Sequence, residues 1–199
     1  MRLPRVYPIV DSAAWVQRLA PRGVRLLQLR IKDQPAAHVA AEIAAARVLS
    51  RAAGMQLVIN DYWQQALDLG CDFVHLGQAD LATADLLALR RAGVRLGVST
   101  HDVAELEHAL SVQPDYVALG PVYHTTLKVM PWKPQGLALV GEWKRRIGEV
   151  PLVAIGGITL ARLPEVFAAG ADVAAVVSDI VAAADPEAQA QRWLAAAAA

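Results

Sequence analysis

The sequence predicts an α/β fold, a (β/α)8 TIM barrel formed as a single domain over residues 1–199. Three observations carry that prediction. Short apolar runs rich in Val, Leu and Ile recur along the chain, helical patterns separate them, and a glycine precedes most of them. Continuous apolar runs suit strands covered on both faces, as in a parallel sheet. Strands alternating with helices build βαβ units. Eight such units close into a barrel, here smaller than the ~250 residues typical of that architecture. A doubly wound open sheet is the alternative, but no G-x-G-x-x-G follows the first run, which weakens a dinucleotide-binding reading.

The runs are VYPIV (6–10), VRLLQLRIK (24–32), QLVIN (56–60), FVHLG (73–77), RLGVS (95–99), YVALG (116–120), PLVAIGG (151–157) and VAAVVS (173–178). Gly23, Gly54, Gly70, Gly93, Gly148 and Gly170 stand where helices would end, as helix C-termini favour. Between the second and third runs, Val39, Ile43, Ala46 and Val48–Leu49 fall near one helical stripe, with Glu42, Arg47 and Arg51 off it. Thr83 and Asp102 are the expected N-caps of later helices. The closing AAAAA reads as a fraying helix end.

Composition narrows the function classes. At 55% hydrophobic and 19% charged, the chain can bury a real core and is not a disordered segment. A formal net charge of zero, with no basic stripe, argues against nucleic acid. The single cysteine, Cys71, excludes an internal disulfide framework and a cysteine-based zinc site, and reads as a small buried hydrophobe. No apolar run approaches the ~20 residues that span a bilayer, and MRLPRVYPIVDS lacks a signal-peptide core. A cytoplasmic protein with small-molecule partners, no nucleic acid and no membrane is expected, and the sequence is compatible with a homo-oligomer.

Barrel chemistry sits at the C-terminal ends of the strands. At the end of the second run, Gln28, Arg30 and Lys32 alternate at a period of two, so they share one face, while Leu29 and Ile31 require a buried opposite face. Two inward cations are costly unless an anion meets them. Asn60 and Asp61 close the third run, and Asp80 follows the fourth. Taken singly, either aspartate could be a helix cap or turn residue. Together they form a hard oxygen site suited to Mg2+, which takes one or two carboxylates plus substrate phosphates. Gly156 and Gly157 follow the seventh run and Ser178 opens a helix after the eighth, a combination that makes a phosphate site in many barrels. The mouth thus offers one site for a diphosphate, with Arg30, Lys32, Lys128 and a metal, and one for a monophosphate, at Gly157, Val177 and Ser178. Two such substrates facing each other imply group transfer with diphosphate as the leaving group.

Histidines add little. His75 reads as a hydrogen-bonded core residue, His38 and His108 as helix-surface residues, and Ser99 with His101 lie too close in one loop to be read as a triad. His124 stays open.

In order along the chain, LQLRIKD, VINDYW, VHLGQADL, LGVSTHD, YVALGPVY, MPWKPQGL, VAIGGIT and AVVS resemble the thiamine-phosphate synthase family over nearly the whole length. That resemblance implies a Mg2+-dependent transferase of thiamine biosynthesis. It would couple 4-amino-2-methyl-5-hydroxymethylpyrimidine diphosphate to hydroxyethylthiazole phosphate, releasing diphosphate and thiamine phosphate. Carried over by position, it assigns Gln28, Arg30, Lys32, Asn60, Ser99 and Lys128 to the pyrimidine diphosphate, with Leu29 and Ile31 in the same substrate-binding stretch. It assigns Asp61 and Asp80 to Mg2+. It assigns Thr125, Thr126 and Leu127, with Gly157, Val177 and Ser178, to the thiazole phosphate. Arg30, Lys32 and Lys128 would be catalytic, stabilising the departing diphosphate beside a pyrimidine-methyl cation.

The segment from Gly120 to Gly136, GPVYHTTLKVMPWKPQG, would fold over both substrates and keep out water that could trap the cation, with Tyr123 and Trp132 either as apolar cover or as residues that pack the segment down. It holds the main departure. The family reads Pro-Thr-x-Thr-Lys where this chain reads His124-Thr125-Thr126-Leu127-Lys128, so one hydroxyl donor is replaced by Leu127. Two rivals follow. A thiazole tautomerase resembles the synthase without the Asn-Asp pair and the later aspartate, all retained here as Asn60, Asp61 and Asp80. A degenerate phosphate-binding homologue has only Leu127 in its favour.

Overall fold

The computed structural model describes residues 3–125 and 132–198. Thr126, Leu127 and Lys128 lie outside the described residues. The strands are β1 (Val6–Val10), β2 (Leu26–Leu29), β3 (Gln56–Asn60), β4 (Phe73–Leu76), β5 (Arg95–Thr100), β6 (Tyr116–Leu119), β7 (Leu152–Ala154) and β8 (Val173–Val176). All pair in parallel and in chain order, and β1 closes on β8 with Val6 beside Ala174 and Pro8 beside Val176. That closing ladder replaces the open-sheet alternative with a TIM barrel.

The helices are α1 (Ala14–Leu19), α2 (Ala36–Ala52), α3 (Trp63–Asp68), α4 (Gln78–Leu81), α5 (Leu86–Arg91), α6 (Val103–Ser111), α7 (Gly136–Ile147), α8 (Leu163–Ala168), α9 (Ser178–Val181) and α10 (Pro186–Ala198). Alternation along the strands sorts side chains into two cores. Leu27, Leu29, Ile59, Val74, Val98, Val117 and Ala154 face the helices. Tyr7, Ile9, Leu26, Val58, Phe73, Tyr116, Val153 and Val173 fill the barrel. Phe73 and Tyr7 each meet Tyr116 edge-on, with ring centroids 5.6 and 6.0 Å away, an arrangement the ring quadrupoles favour. The Arg95 guanidinium lies 4.4 Å over the Phe73 ring and bonds Asp72 and Gln56.

Three local expectations change. The hydrogen-bonded part of β2 ends at Leu29, so Arg30 and Lys32 stand beyond the ladder, although the Arg30 N–H still donates to the Val10 carbonyl at 2.7 Å. Asp85, not Thr83, caps α5: its carboxylate accepts the Ala88 N–H at 2.8 Å, while the Thr83 hydroxyl turns back to the Asp80 carbonyl. The closing alanines stay in α10 as far as Ala198, anchored where Trp193 and Ala197 are buried and Arg5 Nη1 donates to the Ala197 carbonyl at 2.7 Å. Asp102 caps α6 as expected, accepting the Glu105 N–H at 2.9 Å.

Candidate active site

The C-terminal ends of the strands open into one cavity of about 560 Å3. Gln28, Arg30, Lys32, Asn60, Asp61, Asp80, Ser99, Thr125, Gly157, Val177 and Ser178 all line it, drawn together from six strand ends and the start of the 120–136 segment. Leu29 and Ile31 do not line it. Their side chains, 1% and 3% exposed, sit in the strand–helix layer, because the period of two turns them away from Gln28, Arg30 and Lys32. Any contact they make with a ligand is limited to backbone.

One wall is ionic. Lys32 Nζ donates to Asp61 Oδ2 in a short ion pair. Asp61 has a left-handed backbone, φ +64°, uncommon outside glycine and tolerated best by Asp and Asn. Its N–H donates to the His75 carbonyl at 2.9 Å, which ties the strained residue to β4. The start of α3 takes no side-chain cap, so the cap reading for Asp61 falls away. Asp80 stands inside α4, whose N-cap is Gly77, so it is no N-cap either. Burial raises the Asp80 pKa, the Asp61 carboxylate beside it raises it further, and Lys32 opposes the shift. Two carboxylates sharing one corner in this way call for a cation. No group of three or more His, Cys, Asp or Glu suited to a metal occurs among the described residues. A metal here would draw two ligands from the chain and the rest from water or substrate, the pattern Mg2+ accepts.

The opposite wall is backbone. Gly157 has φ +63°, and a Cβ there would lie 2.4 Å from the His124 carbonyl oxygen and 2.8 Å from Tyr123 Cβ. Only glycine lets the β7 loop pass so close to the chain at His124. Val177 and Ser178 follow at the end of β8 and the start of α9.

The floor is polar where the sequence reads apolar. His75 Nε2 meets Ser99 Oγ at 2.8 Å and His75 Nδ1 meets the Tyr116 hydroxyl at 2.7 Å. Burial pushes the His75 pKa down to about 4, so the ring is neutral. Burial raises both tyrosine pKa values, so both phenols keep their protons. Ser99 therefore partners His75, and no triad forms with His101, whose Nδ1 meets Glu105 at 2.7 Å.

The described ends of the 120–136 segment are tied down. The Gln135 N–H donates to the Pro121 carbonyl at 2.7 Å, and Gln135 Nε2 to the His101 carbonyl at 2.9 Å. Trp132 lines the cavity and stacks on His101, centroids 5.3 Å apart and planes 6° from parallel. Tyr123 does not line it. Its hydroxyl donates to Glu165 at 2.5 Å and Arg162 lies over its ring, so it packs the chain down. Trp132 lines the cavity as expected of apolar cover, whereas sequence reasoning missed Tyr7, Asp11, Gln78, Glu105 and Tyr116 as cavity residues. The inward parity of the strands gives a signal for Tyr7 and Tyr116. No spacing rule links Trp132 to His101.

The family model described as thiamine monophosphate synthase matches residues 6–180. Thiamine-phosphate synthase of Rhizobium etli is 60% identical over 98% of this chain and 96% of its own length. That of Cronobacter sakazakii is 52% identical over 95% of this chain and 90% of its own. Among solved structures, thiamine phosphate pyrophosphorylase from Pyrococcus furiosus superposes with a TM-score of 0.87 at 25% identity, covering 98% of this chain and 96% of that one. A 3-hexulose-6-phosphate synthase structure, TM-score 0.69 at 18% identity, shares the fold alone. With the barrel, the two-walled cavity and matches that span nearly its full length, the chain belongs to the thiamine-phosphate synthase family.

Proposed function

We propose that this enzyme condenses 4-amino-2-methyl-5-hydroxymethylpyrimidine diphosphate with hydroxyethylthiazole phosphate, giving thiamine phosphate and diphosphate. The observation that carries the reading is the ionic wall: Arg30, Lys32, Asp61 and Asp80 at one corner of a cavity whose other side is glycine-lined backbone. Arg30 and Lys32, with Lys128 of the segment above, stabilise charge on the departing diphosphate. Mg2+ held by Asp61 and Asp80 would supply further neutralisation of that leaving group. Gln28, Asn60 and Ser99 orient the pyrimidine. Thr125, Thr126, the Leu127 backbone, Gly157, Val177 and Ser178 hold the thiazole phosphate. A pyrimidine-methyl cation, stabilised by the ring's amino group, is then captured by the thiazole nitrogen. No nucleophilic side chain is needed.

The test supplies purified protein with both substrates and Mg2+ and follows thiamine phosphate by its fluorescent oxidation product. Product should appear, and vanish with chelator or in Asp61→Ala. A Leu127→Thr variant should lower the thiazole phosphate KM about ten-fold, the worth of one hydrogen bond to a charged group. Chelator-resistant turnover would exclude the metal role, and no product from intact substrates would exclude the synthase reading.

A further inference from the structure

Five residues from five strands link their polar atoms across the barrel. Gln28 Nε2 donates to the Tyr7 hydroxyl at 3.1 Å, and Tyr7 meets the Tyr116 hydroxyl at 3.1 Å. Tyr116 meets His75 Nδ1 at 2.7 Å, and His75 Nε2 meets Ser99 Oγ at 2.8 Å. Gln28, Tyr7, Tyr116 and His75 are all buried, so each bond is made where an unmade one is expensive. Space is kept for the chain as well. A Cβ at Gly97 would fall 2.1 Å from Tyr116 Cζ and 2.5 Å from its oxygen, and the His75 ring stacks 5.5 Å from that of Tyr116.

Counting protons gives the chain a direction. The Gln28 amide nitrogen can only donate. Tyr7 accepts that bond, and Tyr116 is its one other hydrogen-bond partner among the described residues, so a satisfied Tyr7 sends its single proton to Tyr116. Tyr116 must send its own to His75 Nδ1, which leaves the imidazole proton on Nε2, pointing at Ser99 Oγ. Ser99 then accepts from below, and its hydroxyl proton is left to donate into the cavity it lines. Turning the Gln28 amide over would reverse every bond and make Ser99 an acceptor.

We propose that this one-way chain fixes the Ser99 hydroxyl as a hydrogen-bond donor, so that it selects a substrate atom bearing a lone pair and no hydrogen. Tyr7, Tyr116 and His75 are then positioning residues, and Gln28 sets the polarity. The inference rests on Ser99 facing the pyrimidine diphosphate, as in the function proposed above.

Nuclear magnetic resonance of ring 15N-labelled histidine tests the polarity without substrate. The His75 signal, identified by its loss in His75→Asn, should show a protonated Nε2 and a bare Nδ1. In Gln28→Glu, whose carboxylate only accepts, the proton should move to Nδ1. Kinetics test the consequence. Tyr116→Phe, which removes the proton sent to His75, should raise the pyrimidine diphosphate KM about ten-fold. The thiazole phosphate KM should move less than that. Tyr7→Phe leaves Tyr116 able to donate and should have the smaller effect. A wild-type Nδ1–H tautomer would overturn the proposal. So would a folded Tyr116→Phe protein with an unchanged pyrimidine diphosphate KM. If wild-type protein makes no thiamine phosphate, the substrate reading fails and the tautomer still decides the chain.

Discussion

Gly157 shows how little freedom single positions have at this cavity. Its left-handed backbone disfavours any L side chain by about 1–2 kcal/mol, and a Cβ would meet the His124 carbonyl, a backbone atom with nowhere to go. Gly157→Ala should lower the melting temperature by several degrees, since about 1 kcal/mol shifts a domain of this size by roughly 2–4 °C. It should also raise the thiazole phosphate KM above that of the pyrimidine diphosphate in steady-state assays. Asp61 is strained in the same sense, yet its side chain is engaged with Lys32, so backbone conformation and charge are set together there. Backbone strain of this kind gathers at functional sites, where the surroundings hold it in place.

At the scale of the element, caps and strand ends decide where each functional group stands. Asp102→Ala removes the acceptor for the Glu105 N–H and should cost about 1 kcal/mol, read as a lower midpoint in urea unfolding with an unchanged slope. That cap was legible because a lone Asp precedes VAELEHALS. The cap of α5 was not, because Thr83 and Asp85 stand two residues apart and only the path of the chain out of α4 chooses between them. The strands were legible from their apolar runs, and the inward set Gln28, Arg30 and Lys32 from parity alone. Parity also turned Leu29 and Ile31 outward. The polar floor was hidden, because Tyr7 and Tyr116 sit in runs that read as hydrophobic while their hydroxyls find partners on other strands. The stack of Trp132 on His101 joins positions that no local pattern relates.

At the scale of the whole molecule, two concentric cores leave only Val48, Leu87 and Val103 as exposed large hydrophobics among the described residues. Cys71 is in the outer one, 7% exposed, and burial pushes its thiol up to about 11. A raised folded-state value means that folding favours the protonated thiol. That contribution is complete below the ordinary thiol value and is lost as pH rises from there toward about 11. Ellman's reagent at pH 8 should therefore leave the native protein unlabelled and react with one thiol once urea unfolds it. Rapid labelling of the native protein would mean that the layer under α3 opens easily. No helix among the described residues is long and apolar enough to cross a membrane.

The ladder between β1 and β8, with Arg5 bound to the Ala197 carbonyl, brings the first strand and the last helix side by side. The ring of strands has no natural first member, so the point at which the polypeptide is cut is independent of the barrel it forms. A circular permutant that joins the present ends by a short Gly/Ser linker and opens between α5 and β5 should regain the same circular dichroism spectrum and cooperative melting.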